Sequence, residues 1–492
     1  MLPAVPERVV DELGRTEGGP ETLGLLVRDQ HTRRLLLLRA VLDAAESAAP
    51  DACPAGALTR LREDWSLLEE AERLERHGPV GLLPVSEADE APGNRPSPSP
   101  VRALLLHPFI GPWARDALRA LGSGAGHSPG RDTREQARAL AHFGALAAVA
   151  AARAGVPYRV RLTAHGGVLA LPSLGALRTG GSASPEAEVT VVHRRGRLTL
   201  RRPGEADVAV HLQSGAGAWS ESAAWTSAYT LPGLVPGSAP VPLDDLDPYR
   251  TARRGPRPGT LSGPACLDEA DRKHWLHTWS GTAAALGAGG EHRLAEAVTL
   301  LRCLVPLAAP PGSAGGAGGS CSGTRREAFG AVLSSAPATA TAFAATLVHE
   351  IQHTKLAALS DMMTLHHATP AARHFAPWRP DPRPYDGLLQ GAYSHLALAD
   401  FFQRSALAAT LPTRRDAAWE RHARYQAQVG AVLPALVGSG DLTVRGRRFV
   451  DRMVEVYERL AEQPPPRGHA ARAAAYVQAA RTLWNRRHAP GE

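Results

Sequence analysis

The pattern of apolar and polar positions divides the chain into a helical beginning, a strand-rich middle and a helical end. Apolar side chains recur at helical spacing over residues 1–80, and a further helix is predicted at about 133–154. Residues 157–213 alternate apolar with polar positions and favour β-branched side chains, which predicts a small antiparallel sheet of about four to six strands. Hairpin turns are expected at 165–167 and at 195–196, where glycines occur.

The helical period returns after residue 268. Helices are predicted at about 387–410, 413–437, 443–462 and 468–487, after a proline-rich loop at 365–386. Segment 86–100 has the composition of a linker, and the glycine-rich segment 310–323 is either a lid over a site or a disordered insertion. We therefore expect an α+β fold, predominantly helical, with a small antiparallel β subdomain in the middle. The predicted regions are 1–155, 156–250 and 251–492.

Composition narrows the class of protein. The four cysteines are scattered without a CxxC pair, which argues against a zinc ribbon, an iron–sulfur cluster and a disulfide framework. The apolar runs are too short to cross a bilayer, and the N-terminal residues do not form a signal peptide, so we expect a cytoplasmic protein without membrane contact. The net charge is +7, and all basic residues except Lys273 and Lys355 are arginines. Because no basic stripe interleaved with aromatics is present, nucleic acid is not expected as a partner, although an acidic peptide would be attracted.

The most informative segment is ATAFAATLVHEIQHTKLAALSDMM, which has no Gly or Pro and should be helical. On a helix, His349 and His353 share one face and can hold one divalent metal ion. Glu350 points about 100° away around the helix axis, as does the acid that serves as general base in metallopeptidases.

A catalytic metal needs a third protein ligand and open positions. The downstream candidates are His366, His367, His374, Asp381, Asp386, His395 and Asp400. We favour His395, because it falls on an apolar helix at an inward-facing position, with small residues nearby that permit close packing. Asp400 is the second choice.

Two arginines, Arg379 and Arg383, lie in the segment APWRPDPRPYDG, which four prolines stiffen. A guanidinium on a stiff loop suits bidentate binding of a carboxylate, either from a peptide substrate or from 2-oxoglutarate. Two further features are an aromatic cluster at His107-Pro108-Phe109 and an acidic segment at 244–247, which is either a set of turn caps or a substrate anchor.

Five segments of the chain, which include the two motif histidines, His395 and the two loop arginines, carry a resemblance: LLLHPFIGPW, LDDLDPYR, SGTRREAFGAV, LVHEIQHTKL and WRPDPRPYDGLLQGAYSHLALADFF. Together they resemble the HExxH-motif peptide-modification proteins, which accompany ribosomally made peptides and radical SAM maturases. The resemblance covers about residues 20–460. It implies an iron(II)- and 2-oxoglutarate-dependent β-hydroxylase of a ribosomal precursor peptide, with a radical SAM maturase as a further partner. It also implies iron at His349 and His353, and it places His395, Arg379 and Arg383 at matching positions.

Two other functions remain open. A zinc metallopeptidase would use the same two histidines, with Glu350 activating water. A non-catalytic precursor-binding protein would capture a leader strand on its sheet.

Overall fold

The computed structural model describes residues 5–50, 52–77, 99–122, 129–180, 186–213, 217–252, 262–310, 321–370 and 374–488. The prediction of an α+β, predominantly helical fold with an antiparallel sheet in the middle of the chain is confirmed. The predicted linker at 86–100 and the glycine-rich segment at 310–323 lie mostly outside the described residues.

The chain divides into two compact units. The HExxH unit, as it is called below for the motif that it carries, comprises Met1–Gln30, Leu231–Val241 and Pro256–Glu492, and the sheet unit comprises His31–Thr230 and Pro242–Gly255. These are spatial groupings, whereas the three regions predicted above are consecutive segments, and that segment division stays a prediction.

The sheet unit contains a group of helices and an eight-stranded antiparallel sheet in the order β7-β6-β5-β4-β1-β2-β3-β8. Its elements are α3 (Ala55–His77), α4 (Pro100–Leu105), α5 (Ile110–Gly122), α6 (Pro129–Arg153), β1 (Tyr158–His165), β2 (Val168–Leu171), β3 (Gly175–Arg178), β4 (Glu186–Arg194), β5 (Arg197–Arg201), β6 (Val208–Leu212), β7 (Ala218–Trp219) and β8 (Trp225–Ser227). Helix α2 (Pro20–Ser47) and strands β9 (Tyr229–Leu231) and β10 (Val241–Leu243) include residues of both units.

Both predicted hairpin turns are present. Gly166 and Gly167 have φ of 62° and 76° and join β1 to β2, with His165 opposite Val168. Both turn residues therefore lie in the left-handed region, which glycine adopts without steric cost. Helix α6 packs on β1, and at Gly144 an added Cβ would lie 3.1 Å from the Leu162 side chain, so the missing side chain lets the helix approach the sheet closely.

The HExxH unit is mainly helical. Its elements are α1 (Glu7–Gly14), α7 (Glu269–Ser280), α8 (Thr282–Ala288), α9 (Glu291–Leu300), β11 (Cys303–Leu307), β12 (Ser322–Gly323), β13 (Ala331–Ser335), α10 (Ala340–Met362), α11 (Tyr385–Ala408), α12 (Pro412–Val437), α13 (Val444–Ala461) and α14 (Arg467–His488). The ends of α11 to α14 lie within two residues of the predicted ones.

Two buried helices position the candidate site. Thr339 caps α10, because its hydroxyl accepts a hydrogen bond from the backbone N–H of Ala342 at 3.1 Å. Helix α10 packs against α11, which is buried over most of its length, and α11 packs in turn against α12. Strand β13 leads into α10 and pairs in parallel with β11 and antiparallel with the short β12. A platform buried on several sides keeps the motif helix rigid.

Candidate metal centre

The two motif histidines face each other on α10. Nε2 of His349 lies 3.1 Å from Nε2 of His353, with the rings edge to face. Two ligand atoms at about 2.1 Å from one ion lie about 3.0 Å apart at a 90° angle and about 3.4 Å apart at a tetrahedral angle. The observed separation therefore matches the spacing that a shared metal ion requires.

The second histidine is oriented by a neighbour on α11. Nδ1 of His353 lies 3.1 Å from Oε1 of Gln390. Since an amide oxygen only accepts, Nδ1 carries the proton, and Nε2 then offers its lone pair towards His349. Metal-binding histidines are held in this way by an outer hydrogen bond, which fixes both tautomer and ring direction.

His395 joins the pair from α11. Its ring centroid lies 5.5 Å from that of His349, and only 7% of the residue is exposed. Trp378 and Tyr425 enclose the ring edge to face at 4.5 and 5.1 Å. Burial, together with the smaller effects of His353 and Arg424, lowers the pKa of His395 to about 3, so the ring is neutral at physiological pH. Its buried Nδ1 has no hydrogen-bond partner in the described part of the chain.

The three rings are neighbours rather than a closed ligand set. Within the described ranges, no group of three or more His, Cys, Asp or Glu side chains is arranged to hold a metal ion. The chemistry of the donors nevertheless fits a divalent ion: the rings of His353 and His395 both adjoin that of His349, the tautomer of His353 is fixed, and His395 has an unsatisfied nitrogen. Burial also lowers the pKa of His349 well below its usual value, and His353 and His395 add to this effect.

Glu350 is buried beside the histidines. Its Oε1 lies 4.0 Å from Nε2 of His349 and accepts a hydrogen bond from the Ser322 hydroxyl of β12 at 2.7 Å. Its Oε2 has no hydrogen-bond partner among the described residues. Burial raises the pKa of this carboxyl, against the opposing effects of His353 and the hydroxyls of Ser322 and Thr324. The carboxylate is therefore close enough to a bound ion to act on a water molecule, yet only 2% of it is exposed.

The proline-rich loop lies along α11 and places its two predicted arginines in different surroundings. The Arg383 guanidinium lies against Gly387, where an added Cβ would be 2.9 Å from its Nη2. One turn on, Trp378 lies against Gly391, where a Cβ would be only 2.5 Å from the indole. Arg383 and Trp378 thus follow one face of α11 towards His395, four residues beyond Gly391. The small residue expected to permit helix packing instead accommodates a tryptophan.

Arg383 and Arg379 differ in their surroundings. Nε of Arg383 is buried without a hydrogen-bond partner in the described structure, and Nη1 lies 3.7 Å from the exposed Asp381. Arg379 instead lines a groove beside α14. Two further arginines, Arg325 and Arg326, line a small cavity with His353 and hydrogen-bond to Glu327 and Asp361. Sequence reasoning assigned no role to these two, although they follow Ser322, whose hydroxyl contacts Glu350.

The other candidate ligands have different partners. Asp400 pairs with Arg293 at 3.3 Å and with Arg404 at 3.0 Å. His366 lies 3.5 Å from Asp386 and edge to face with Tyr385. The backbone groups of His374 exchange hydrogen bonds with those of Arg383, and the backbone N–H of His367 donates to Asp441.

The opposite face of α10 carries a buried ion network that sequence reasoning missed. Lys355 is fully buried and donates to Glu296 at 2.7 Å and to the carbonyl of Thr16 at 3.1 Å. Glu296 also pairs with Arg293, which reaches Asp400 on α11. Burial lowers the pKa of Lys355 to about 8, although Glu296 opposes that effect. The available signal was that only two lysines occur in an arginine-rich chain, one of them two residues after His353.

The remaining sequence candidates lie in the sheet unit. His107 is half-buried, lies edge to face with Phe109 at 4.8 Å and lines a cavity of about 60 Å³ with the acidic segment. Oδ1 of Asp244 accepts hydrogen bonds from the N–H groups of Leu246 and Asp247 at 3.1 and 2.9 Å. This is the turn-capping arrangement that short acidic side chains favour.

Comparison of the chain with models of known protein families and with curated proteins finds no match. None of the helices in the described ranges combines the length and apolar character that a bilayer crossing requires. The resemblance stated above is therefore carried by sequence segments alone.

Proposed function

We propose that this protein is an iron(II)- and 2-oxoglutarate-dependent β-hydroxylase of a ribosomally synthesised precursor peptide, acting in the cytoplasm beside a radical SAM maturase. The observation that supports a metal-dependent reaction is the 3.1 Å separation of the His349 and His353 Nε2 atoms, with the His395 ring adjoining. The resemblance adds the choice of iron and of the peptide substrate.

The three histidines would hold the ion. When bound, iron(II) with 2-oxoglutarate and O₂ supplies the oxidising power to replace a substrate C–H hydrogen with hydroxyl, which needs open positions beside the protein ligands. The residues of the chain keep this centre ordered: Gln390 holds the His353 tautomer, and Trp378 with Tyr425 encloses His395 and excludes water from its ring.

We assign the carboxylate anchor for 2-oxoglutarate to Arg383. Its buried Nε lacks a hydrogen-bond partner among the described residues, and its guanidinium lies one turn before Gln390 on α11. A bidentate carboxylate would satisfy these donors. Arg325 is the alternative, but its Nε and Nη2 already donate to Glu327 at 3.1 and 2.8 Å.

A zinc peptidase is the second candidate, because Oε1 of Glu350 lies 4.0 Å from His349 Nε2, as a water-activating base requires. Two observations weigh against it. Glu350 is only 2% exposed, and one of its carboxyl oxygens already accepts a hydrogen bond from the Ser322 hydroxyl. Both leave little access for water and a scissile bond.

The test is mass spectrometry of a co-expressed precursor peptide. With iron(II), 2-oxoglutarate and O₂, we expect a gain of about 16 Da and one succinate per modified peptide. Cleavage by the zinc-loaded protein would instead establish the peptidase. An unmodified and uncut peptide that still binds would favour the non-catalytic function.

Variants connect the reaction to the site. Replacing both His349 and His353 with alanine should abolish metal binding and modification. Replacing His274 and His277, two exposed histidines of α7, should leave both unchanged. Equal metal content in the two double variants would refute the assignment.

A further inference from the structure

A groove lies between the proline-rich loop and the last helix of the HExxH unit. It has a volume of about 350 Å³ and runs between residues 377–380 and one face of α14. We call it the α14 groove. Its apolar surface comes from Trp378, Tyr476, Leu483 and Trp484. A volume of this size accommodates a few side chains of an extended segment rather than a folded domain.

The groove is held in shape by direct contacts. The Tyr476 hydroxyl donates to the carbonyl of Pro377 at 3.2 Å, and Trp484 packs edge to face on Phe375 at 5.8 Å. Arg424 stacks over the Tyr476 ring at 5.0 Å. Prolines stiffen the loop side, so the groove is preformed and costs little ordering entropy on binding.

The charge around this groove has one sign. Of the described residues that line it, Arg379 and Arg487 are charged and none is acidic. The sequence of α14, RGHAARAAAYVQAARTLWNRRH, contains five arginines and no Asp or Glu. The nearest carboxylate to Arg379 belongs to Asp381, at 4.0 Å and 57% exposed, which screens only part of this charge. The surface therefore complements an anion that also carries apolar groups.

The groove adjoins the candidate metal centre through one side chain. Trp378 lines the groove, and its ring also packs edge to face on His395 at 4.5 Å. A chain held in the groove would thus be tethered one indole away from the histidines. Holding a substrate near a reacting centre raises its effective concentration there.

We propose that the α14 groove binds an acidic segment of the peptide substrate. Arg379 and Arg487 would pair with its carboxylates, and Trp484, Leu483 and Tyr476 would receive a neighbouring apolar side chain. The identity of the occupant as substrate rests on the proposed function. A polynucleotide would require a longer series of cations along its phosphates, and a membrane surface would require a protruding apolar face, whereas this surface is concave.

Fluorescence anisotropy on the full chain tests the groove. The probe is a fluorescein-labelled synthetic peptide of about fourteen residues that alternates Glu with Leu and Phe. The matched peptide has Gln at each Glu position. We expect the acidic peptide to bind at least about tenfold more tightly at low salt, with the difference shrinking as salt rises. Equal binding of the two peptides would overturn the proposal.

Neighbouring arginines of one helical turn provide the matched control. Arg487→Glu should weaken binding of the acidic peptide by about tenfold or more, whereas Arg486→Glu, which makes the same charge change outside the groove, should weaken it less than about threefold. Leu483→Asp, at a position 54% exposed, is the second variant if Arg487→Glu does not fold. Equal losses in Arg487→Glu and Arg486→Glu would show a general charge effect and refute the groove.

Competition separates the other anionic partners. An RNA oligonucleotide or phosphatidylserine vesicles that displace the peptide at lower concentration than unlabelled peptide would overturn the proposal. The double variant His349→Ala with His353→Ala should bind the probe as wild type does. If the protein binds the acidic peptide but adds no oxygen to it, the proposed function is refuted and the assignment of the groove stands. If the Arg487→Glu and Arg486→Glu variants hydroxylate the substrate equally well, the groove is refuted and the proposed function stands.

Discussion

Lys355→Met is the sharpest test of how the motif helix is held. The substitution keeps an unbranched apolar side chain, one heavy atom shorter, and removes a cation whose Nζ lies 2.7 Å from Glu296, in a site where both side chains are at most 1% exposed. Removing one partner of a buried pair costs about 3–5 kcal/mol, because the other charge stays buried. Arg293 still contacts Glu296 at 3.3 Å, so we expect the lower end of that range.

Protonation of the remaining carboxylate, that of Glu296, sets an upper limit on the loss of stability. Glu296 can lose its charge by binding a proton. At pH 7, about 2.5 pH units above its ordinary pKa of 4.5, protonation costs about 1.4 kcal/mol for each unit, or about 3.4 kcal/mol in all. The penalty should therefore be about 3 kcal/mol at pH 7 and fall to about 1.4 kcal/mol or less at pH 5.5, where protonation is cheaper.

Hydrogen exchange of the peptides from α10 measures this locally, without requiring that a two-unit chain unfold in one step. A loss of 3 kcal/mol corresponds to about 150-fold faster exchange relative to wild type at the same pH. Lys273→Met is the matched control, because Lys273 is 73% exposed and its ion pair among the described residues is with Glu269 on its own helix, so exchange should stay close to that of wild type.

The result that would refute this reasoning is an acceleration of less than about fivefold in Lys355→Met, or one equal to that of Lys273→Met. Adding Glu296→Gln to Lys355→Met should recover at least half of the loss, since it removes the stranded charge. A double variant that is less stable than Lys355→Met would show that Glu296 acts mainly through Arg293.

Three further predictions concern packing, acid and cosubstrate. Gly391→Ala gains up to about 1 kcal/mol of helix propensity, but the new methyl group must displace the Trp378 indole by roughly 1 Å, which costs about 1–3 kcal/mol. We therefore expect a lower melting temperature and weaker metal binding. Gly287→Ala is the control: an added Cβ there has no atom within 4 Å, so this variant should be as stable as wild type or more stable. The hydrogen bond from Arg448 holds the pKa of Asp11 at about 2, below its ordinary value of 3.8. The ion pair therefore stabilises α1 above about pH 4, and this stabilisation is lost as the pH falls from about 4 to 2. In Asp11→Asn, hydrogen exchange of α1 should no longer accelerate over this pH range. Arg383→Met should raise the KM for 2-oxoglutarate at least about tenfold with a smaller change in kcat, and an unchanged KM would transfer the anchor role to another arginine.

Periodicity predicted the fold class and the ends of the long helices, because α11 to α14 have strong apolar patterns and clear breakers between them. It also indicated which histidines of α10 share a face, since a four-residue spacing on a helix fixes relative direction. His395 was predicted from its inward-facing position, and the structure brings its ring beside His349.

Other contacts depend on tertiary structure. Gln390 reaches His353 from a helix 37 residues away, and Ser322 reaches Glu350 from a strand that pairs only over two residues. Periodicity carries no information on such pairs. The two arginines of the proline-rich loop looked equivalent, yet the loop turns at residues 377–378 and bends at 380–381, and it directs Arg383 to α11 and Arg379 to the α14 groove. An irregular loop has no repeating period, so the sequence could not separate them.

The scarcity of lysine has a practical consequence. Lys273 and Lys355 are the two lysines of the chain, and the first is on the surface whereas the second is fully enclosed. Among side chains, an amine-reactive dye should therefore modify Lys273 alone in the native protein. Labelling of Lys355 would require α10 to separate from its neighbours, so the ratio of the two adducts in a digest would time the opening of the helix that carries the histidines.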